Sequence, residues 1–431
     1  MKSKVNYSLI SLGCARTLVD SESISNKLNE IGFNLVQEES NETVTILNTC
    51  SFIQAAIDET ERNIATLIDR KNEGRIKHLA VIGCYPSRFK KEILSEKFPE
   101  VDLWLTTQEQ SQMQKKLSQL VFKKRFSPKT PSPYTKLTPS HYAYLKISEG
   151  CNNWCAFCTI PKIRGEHTSK PLEKIIEEAK KQIRFGAKEL ILIAEDTTAW
   201  GEDLYGEPSF PLLLEKLAEL PVDWIRPMYI FPSRVDSRLI QVIKAHENIC
   251  NYIDIPIQHV NDTLLESMNR RHDRAFLDKI LNEFRETVPD IALRTTFIIG
   301  YPGETEEMID ELIDFIEQHP FEQLGCFAYS EERETRAFKI PNKVAPDVIQ
   351  ARIERVMERQ YELVSKRNQA KVGQRFSLLY EGDQVGRLYC QAPDVDGHVV
   401  LEDVEGLEVG EFYQAKITSA KGYDIQAQCT D

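Results

Sequence analysis

The chain has 431 residues, too many for one ordinary core, so about three domains are expected, each able to bury enough apolar surface to fold. Hydrophobic residues make up 41% and charged residues 28%, and no run approaches the ~20 apolar residues that span a bilayer, which excludes a membrane-spanning helix. The formal net charge of -12 argues against nonspecific affinity for a polyanion and says nothing against a basic protein partner, which an acidic surface would attract.

Met1-Lys2-Ser3-Lys4 leads into an apolar run that Asn6 and Ser8 interrupt, which is not a signal-peptide core. The expected compartment is the cytoplasm, where ten cysteines are metal ligands, catalytic thiols or core fillers rather than a disulfide framework. Residues 5–12, 43–48 and 78–82 read as β-branched strands, with helical patterns over 21–31 and 52–69. Asp20 is expected to cap the first of these helices. The alternation predicts a doubly wound α/β domain over residues 1–125. Pro128, Pro131, Pro133 and Pro139 then mark a linker over 126–140.

Strand signals recur at 143–148, 189–194, 226–231, 252–257, 293–300 and 324–329, separated by helical stretches. Six such units predict a partial (β/α)6 barrel over 141–365, closed off by a long charged helix over 346–369. From about residue 372 the pattern changes to short strands at 376–380, 385–389, 398–401 and 412–418 with Gly and Asp turns. These predict a small antiparallel β-barrel over 366–431. Asp394, Asp396, Glu402, Asp403, Glu405, Glu408 and Glu411 make it acidic.

The sharpest motif is Gly150-Cys151-Asn152-Asn153-Trp154-Cys155-Ala156-Phe157-Cys158, a CxxxCxxC loop directly after the first barrel strand. Three thiolates so spaced can hold three irons of a 4Fe–4S cluster and leave the fourth without a protein ligand. A zinc knuckle and three coincidental core cysteines are the alternatives; zinc sites usually show paired CxxC or Cys/His spacing with a fourth ligand, and none lies nearby in sequence. Cys14, Cys50 and Cys84 each follow a predicted parallel strand, and in a doubly wound sheet those strand ends share one edge. They are expected to converge on a second cluster, the alternative being three small residues that close strands. Cys250, Cys326, Cys390 and Cys429 lack ligand spacing and read as fillers.

The CxxxCxxC loop resembles that of the radical S-adenosylmethionine (SAM) superfamily. This likeness implies that SAM chelates the open iron and is cleaved to methionine and a 5′-deoxyadenosyl radical. It also implies that Phe157 packs near the adenine. The strings SLGCARTLVDSE, NTCSFI and IGCYPSR, followed by ISEGCNNWCAFCTIPKIRG, resemble the methylthiotransferase family over essentially the whole chain, with a terminal barrel of the TRAM type. ELILIAEDTTAWG, YIDIPIQH, FIIGYPGETEE and CFAYSEE resemble its ribosomal-protein branch, which acts on an aspartate of small-subunit ribosomal protein number twelve. The resemblance implies two 4Fe–4S clusters, SAM as cofactor, an electron-donor protein, and transfer of a methylthio group to an unactivated carbon. The sequence departs from the family at Ala15-Arg16-Thr17, Glu195 and Glu332 to Thr335.

Glu195 and Asp196 end the second barrel strand and are expected to touch SAM's polar groups, an ordinary strand-ending turn being the alternative. Gly300-Tyr301-Pro302-Gly303-Glu304 could bring backbone to SAM or form a tight turn. Arg270-Arg271-His272 reads as a solvated basic face, the alternative being a contact to an anionic substrate or phosphate, and His259 as structural rather than catalytic. Two other functions compete. A tRNA methylthiotransferase would need a basic terminal barrel, and a noncatalytic iron–sulfur scaffold would have no use for a SAM-type loop on a barrel.

Overall fold

The computed structural model describes residues 5–38, 42–122 and 134–430. By internal contacts the chain divides into two units, Met1–Thr138 with Cys158–Glu166, and Pro139–Phe157 with His167–Asp431. The linker prolines Pro128, Pro131 and Pro133 lie outside the described residues.

In the first unit, five strands form a parallel sheet in the order β2-β1-β3-β4-β5. They are β1 (Val5–Ser11), β2 (Phe33–Leu35), β3 (Val44–Thr49), β4 (His78–Gly83) and β5 (Leu103–Thr106). All six residues of β3 are buried, as a central strand covered on both faces must be. The period of two divides the core. Val44, Ile46, Ala80 and Ile82 pack with Ile24 and Leu28 of the helix Ala15–Glu30. Leu47, Leu79 and Val81 pack on the other face with Ile57, Ile64 and Leu67 of Gln54–Asn72.

The first helix corrects one expectation. It begins at Ala15 with Cys14 in the N-cap position, and Asp20 is not a cap but a buried residue inside it. The helix buries a polar stripe, Thr17, Asp20, Ser21 and Ser25, ahead of and beside its apolar one, so hydrophobic periodicity first becomes visible a turn and a half late.

The second unit carries β6 (Tyr142–Lys146), a two-stranded ribbon of β7 (Ser148–Glu149) and β8 (Thr168–Ser169), then β9 (Glu189–Ile193), β10 (Trp224–Pro227), β11 (Tyr252–Asp254), β12 (Ala292–Ile299) and β13 (Gln323–Ala328). Six of these are parallel, as β6-β9-β10 and β11-β12-β13, joined through an Ile225–Ile249 bridge. They make the expected partial (β/α)6 barrel. The helix Pro346–Gln369 follows. It leads to β14 (Arg375–Gly382), β15 (Val385–Leu388), β16 (Val399–Leu401), β17 (Phe412–Lys421) and β18 (Asp424–Thr430), which close a barrel in the order β14-β15-β16-β18-β17. The fifth strand was not expected from the sequence, and its pairing with β16 is parallel. No helix among the described residues is long and apolar enough to cross a membrane.

The two barrels meet through buried ion pairs. Glu189, at the start of β9, accepts from Arg226 Nε at 2.6 Å and from Arg387 Nη2 of the small barrel at 2.6 Å. Arg387 also donates to Glu381 at 2.8 Å, and Arg226 donates to the carbonyl of Tyr389 at 2.5 Å. Asp394 and Asp396, both expected on an acidic surface, bond to the larger barrel, Asp394 while remaining exposed and Asp396 with its carboxylate buried. Tyr144 donates to Asp394 at 2.8 Å, while Asp396 accepts from Tyr252 at 2.7 Å and from Arg294 at 3.1 Å. Burial of the Asp396 carboxylate requires partners, and a local sequence pattern could not reveal them.

Two glycines hold the cysteine edge of the first unit. Gly83 has φ +97, and a Cβ there would lie 2.5 Å from Asn48 Oδ1 and 2.9 Å from the Thr49 carbonyl. Gly83→Ala is therefore expected to destabilise this unit by ~1–3 kcal/mol, read by denaturant unfolding of the full chain.

Candidate functional site

Cys14, Cys50 and Cys84 follow β1, β3 and β4, three neighbouring parallel strands, so their carboxyl ends deliver all three to one edge of the sheet. Gly13, at φ +99, approaches Cys50 so closely that a Cβ would stand 2.8 Å from the Cys50 Cβ. Hydrogen bonds fix the strand ends around them. Thr49 Oγ1 donates to the Ile82 carbonyl at 2.6 Å and accepts from Tyr85 N at 3.1 Å. Asn48 Nδ2 donates to Thr17 O at 3.1 Å and Ser21 Oγ at 2.9 Å. Thr60 Oγ1 donates to the Cys50 carbonyl at 2.8 Å.

The electrostatics around the three thiols differ. Burial pushes the Cys84 thiol up to about 12, against the pull of Arg164. Burial also raises Cys50. At Cys14, packed protein desolvates the thiol, but Arg16, the Thr17 backbone and Arg164 outweigh this and bring it down to about 7. Each thiol also feels at least one of the others. Three soft donors beside two guanidiniums are a donor set that would fit an iron–sulfur cluster rather than a single shared ion.

In the second unit, Cys151 and Cys155 lie in the loop that β7 and β8 flank. Asn153 Nδ2 donates to Asp196 Oδ2 at 2.7 Å, and Arg234 Nη1 bridges Asn153 Oδ1 and Asp196 Oδ2, both at 2.7 Å. The other Asp196 oxygen accepts from Thr198 at 2.5 Å and from Ala199 N at 3.2 Å. Trp154 sits at φ 52 and is half exposed, with its carbonyl taken by Asn269 Nδ2 at 3.2 Å and Arg336 Nη2 at 2.6 Å. Ala156 N donates to the Met268 carbonyl, and Ala337 N donates to the Ala156 carbonyl, both at 2.9 Å. Phe157 packs on the cluster of Ala156, Leu264, Met268, Tyr301 and Ala337. Burial, with Asp196, Cys155 and Glu195, pushes the Cys151 thiol up to about 12. Both strand-end carboxylates therefore stand near this loop, and Asp196 braces it.

The Arg270 guanidinium lies 4.2 Å over the Phe231 ring and donates to Cys155 Sγ at 3.5 Å and to the Pro256 carbonyl. It is buried, so Arg270 does not belong to a solvated basic face, although Arg271 is exposed. No sequence signal marked Arg270 as a thiol partner, because its contact spans 115 positions. His259 is structural: Nδ1 accepts from Val260 N at 2.9 Å and Asn261 N at 3.0 Å. In the 300–304 turn, Glu304 accepts from Gly300 N at 2.9 Å through both oxygens, and Arg352 holds it at 2.9 Å. Cys250 and Cys390 are buried, in keeping with filler roles. Among the described residues, no three His, Cys, Asp or Glu side chains stand close enough to share one metal ion.

The Radical SAM superfamily profile matches residues 145–316, the uncharacterized protein family UPF0004 matches 6–106, and the TRAM domain matches 372–430. In fold, the chain resembles the radical SAM methyltransferase TsrM from Kitasatospora setae (TM-score 0.60, 12% identity, 85% of this chain and 90% of that one). It also resembles the cobalamin-dependent radical SAM enzyme OxsB (TM-score 0.52, 13% identity, 84% and 58%). The partial barrel and its cysteine loop define a radical SAM enzyme, a class that uses a 4Fe–4S cluster and SAM. A protein of Lachnoclostridium phytofermentans, ribosomal protein uS12 methylthiotransferase RimO, is 38% identical over 96% of this chain and 98% of its own length. Its namesake in Clostridioides difficile is 40% identical over 98% of each. The chain belongs to the RimO family of uS12 methylthiotransferases.

Proposed function

We propose that this chain attaches a methylthio group to the β-carbon of an aspartate of ribosomal protein uS12, in the cytoplasm, with electrons from a donor protein. The observation that carries the reading is the delivery of Cys14, Cys50 and Cys84 to one sheet edge by three adjacent parallel strands, in a chain that also holds the CxxxCxxC loop of Cys151, Cys155 and Cys158. Each trio would hold one 4Fe–4S cluster. When bound, the clusters and SAM supply sulfur, a methyl group and a carbon-centred radical, which suits a carbon whose proton is not acidic.

The chain's own residues do the rest. Asp196, Arg234 and Asn153 hold the loop in shape, and Phe157 and Glu195 are the candidate SAM contacts, with Asp196 beside them. Residues 1–125 form the cluster-binding methylthiotransferase domain, 141–365 the radical SAM domain and 366–431 the TRAM-like recognition domain, with 126–140 as linker. Five exposed acidic residues of the small barrel, Glu402, Asp403, Glu405, Glu408 and Glu411, favour a basic ribosomal protein over tRNA. Intact-mass analysis of uS12 from cells with and without the gene tests this. The expected result is loss of one methylthio group from uS12 on deletion, with tRNA nucleosides unchanged; an unaltered uS12 mass rejects the assignment.

A further inference from the structure

The short helix Ile160–Arg164 belongs to the N-terminal unit, although in sequence it begins two residues after the last cysteine of the CxxxCxxC loop. Thr159 Oγ1 donates to the Phe52 carbonyl at 3.1 Å, and the Ile163 carbonyl accepts from Thr107 Oγ1 at 3.3 Å and Gln108 Nε2 at 3.4 Å. These bonds fix Arg164, whose Nη1 pairs with Asp20 Oδ2 at 3.4 Å with both side chains buried. Asp20 lies in the helix that Cys14 opens. Arg164 donates to Cys84 and acts on Cys50 and Cys14 as well. Arg16 acts on Cys14 and Cys50.

A buried guanidinium paired with one carboxylate is seldom kept for stability, since well-packed apolar residues serve as well or better. Its position among three thiols gives a different reason. Three thiolates around a cluster concentrate negative charge in a poorly solvated place, and a fixed cation there offsets it. Net charge and hydrogen bonds to sulfur are also what set the potential of such clusters.

We propose that Arg164, held by Asp20, is a positioning residue for the N-terminal cluster: it offsets the charge of the Cys14, Cys50 and Cys84 thiolates and holds the cluster's reduction potential up. The proposal rests on the assignment of these three cysteines as cluster ligands.

The test uses the full chain with Cys151, Cys155 and Cys158 changed to alanine, loaded anaerobically so that only the N-terminal cluster forms. Iron content and the midpoint potential, followed by electron paramagnetic resonance during redox titration, are compared for Arg164, Arg164→Gln and Arg164→Lys. Loss of the positive charge disfavours an added electron, so Arg164→Gln is expected to shift the reduced-to-oxidised ratio at least about tenfold toward oxidised. That is a fall of about 59 mV for a one-electron couple. Arg164→Lys, which keeps the charge, is expected to recover most of the shift. Retention of iron by Arg164→Lys and its loss from Arg164→Gln also supports the proposal. An unchanged midpoint in Arg164→Gln overturns it, as does equal behaviour of the two variants, including iron loss from both. If the parent with Arg164 intact takes up no iron, the ligand assignment itself fails and the proposal falls with it.

Discussion

Changing Cys14, Cys50 and Cys84 together to alanine is expected to abolish methylthio transfer while SAM cleavage continues. The three residues sit at the ends of separate strands whose order and register are set by backbone pairing and by the cores on either sheet face. Alanine keeps the backbone and removes only the thiol, so the sheet should survive. The variant should therefore lose the iron of one cluster, still release 5′-deoxyadenosine when reduced with SAM, and leave uS12 unmodified. The matching variant of Cys151, Cys155 and Cys158 should stop both reactions, because no radical would form. Iron analysis, nucleoside chromatography and substrate mass separate the two. Full iron content in the first variant would show that the sheet edge is not a cluster site.

The second large effect is on stability. Glu189→Gln is expected to destabilise the second unit by about 3–5 kcal/mol, because it leaves the buried Arg226 and Arg387 guanidiniums without their shared counter-charge. Calorimetric or denaturant unfolding measures this. An exposed pair between the same two barrels supplies the control. Lys188 and Glu411 stand 3.1 Å apart with both side chains substantially solvated, and Lys188→Ala should cost only about 0–1 kcal/mol. A pH dependence follows with a definite sign. Burial alone would raise Glu189, but Arg226 and Arg387 bring it below the ordinary carboxylate value of 4.5. Burial likewise opposes, and His141 and Arg387 outweigh it, at Glu381, which falls to about 2. For a depressed carboxylate the stabilisation is present above the unfolded value and is lost as pH falls through the folded one. The junction should hold above pH 4.5 and weaken as the pH drops toward about 2, and Glu189→Gln should flatten that acid limb.

The convergence of Cys14, Cys50 and Cys84 on one sheet edge was legible because each follows a strand whose apolar, β-branched composition announces it, and parallel topology dictates where strand ends meet. Cys151, Cys155 and Cys158 stood out differently, by their spacing within a single loop. The helix Pro346–Gln369 was visible from its length and charge. What stayed hidden depends on partners far along the chain. Asp20 looks like a cap until Arg164 is placed beside it. Asp396 looks like a surface acid until Tyr252 and Arg294 are seen to take it. Arg270 gives no local hint that it will reach Cys155. The strand Asp424–Thr430 does alternate Ile425, Ala427 and Cys429 with polar neighbours, but Ala427 and the two glutamines carry little strand propensity, so the run does not stand out.

The bracing of residues 150–157 has one more consequence. Asn153, Trp154 and Ala156 are each tied to residues from other loops by contacts that involve no metal. In a zinc finger, by contrast, the ion is what folds the chain. Here the loop's conformational entropy is surrendered when the polypeptide folds rather than when iron arrives. Oxygen damage that strips the cluster should accordingly leave a receptacle that can be refilled without passing through an unfolded state, and the iron-free protein should resist proteolysis at this loop about as well as the loaded one.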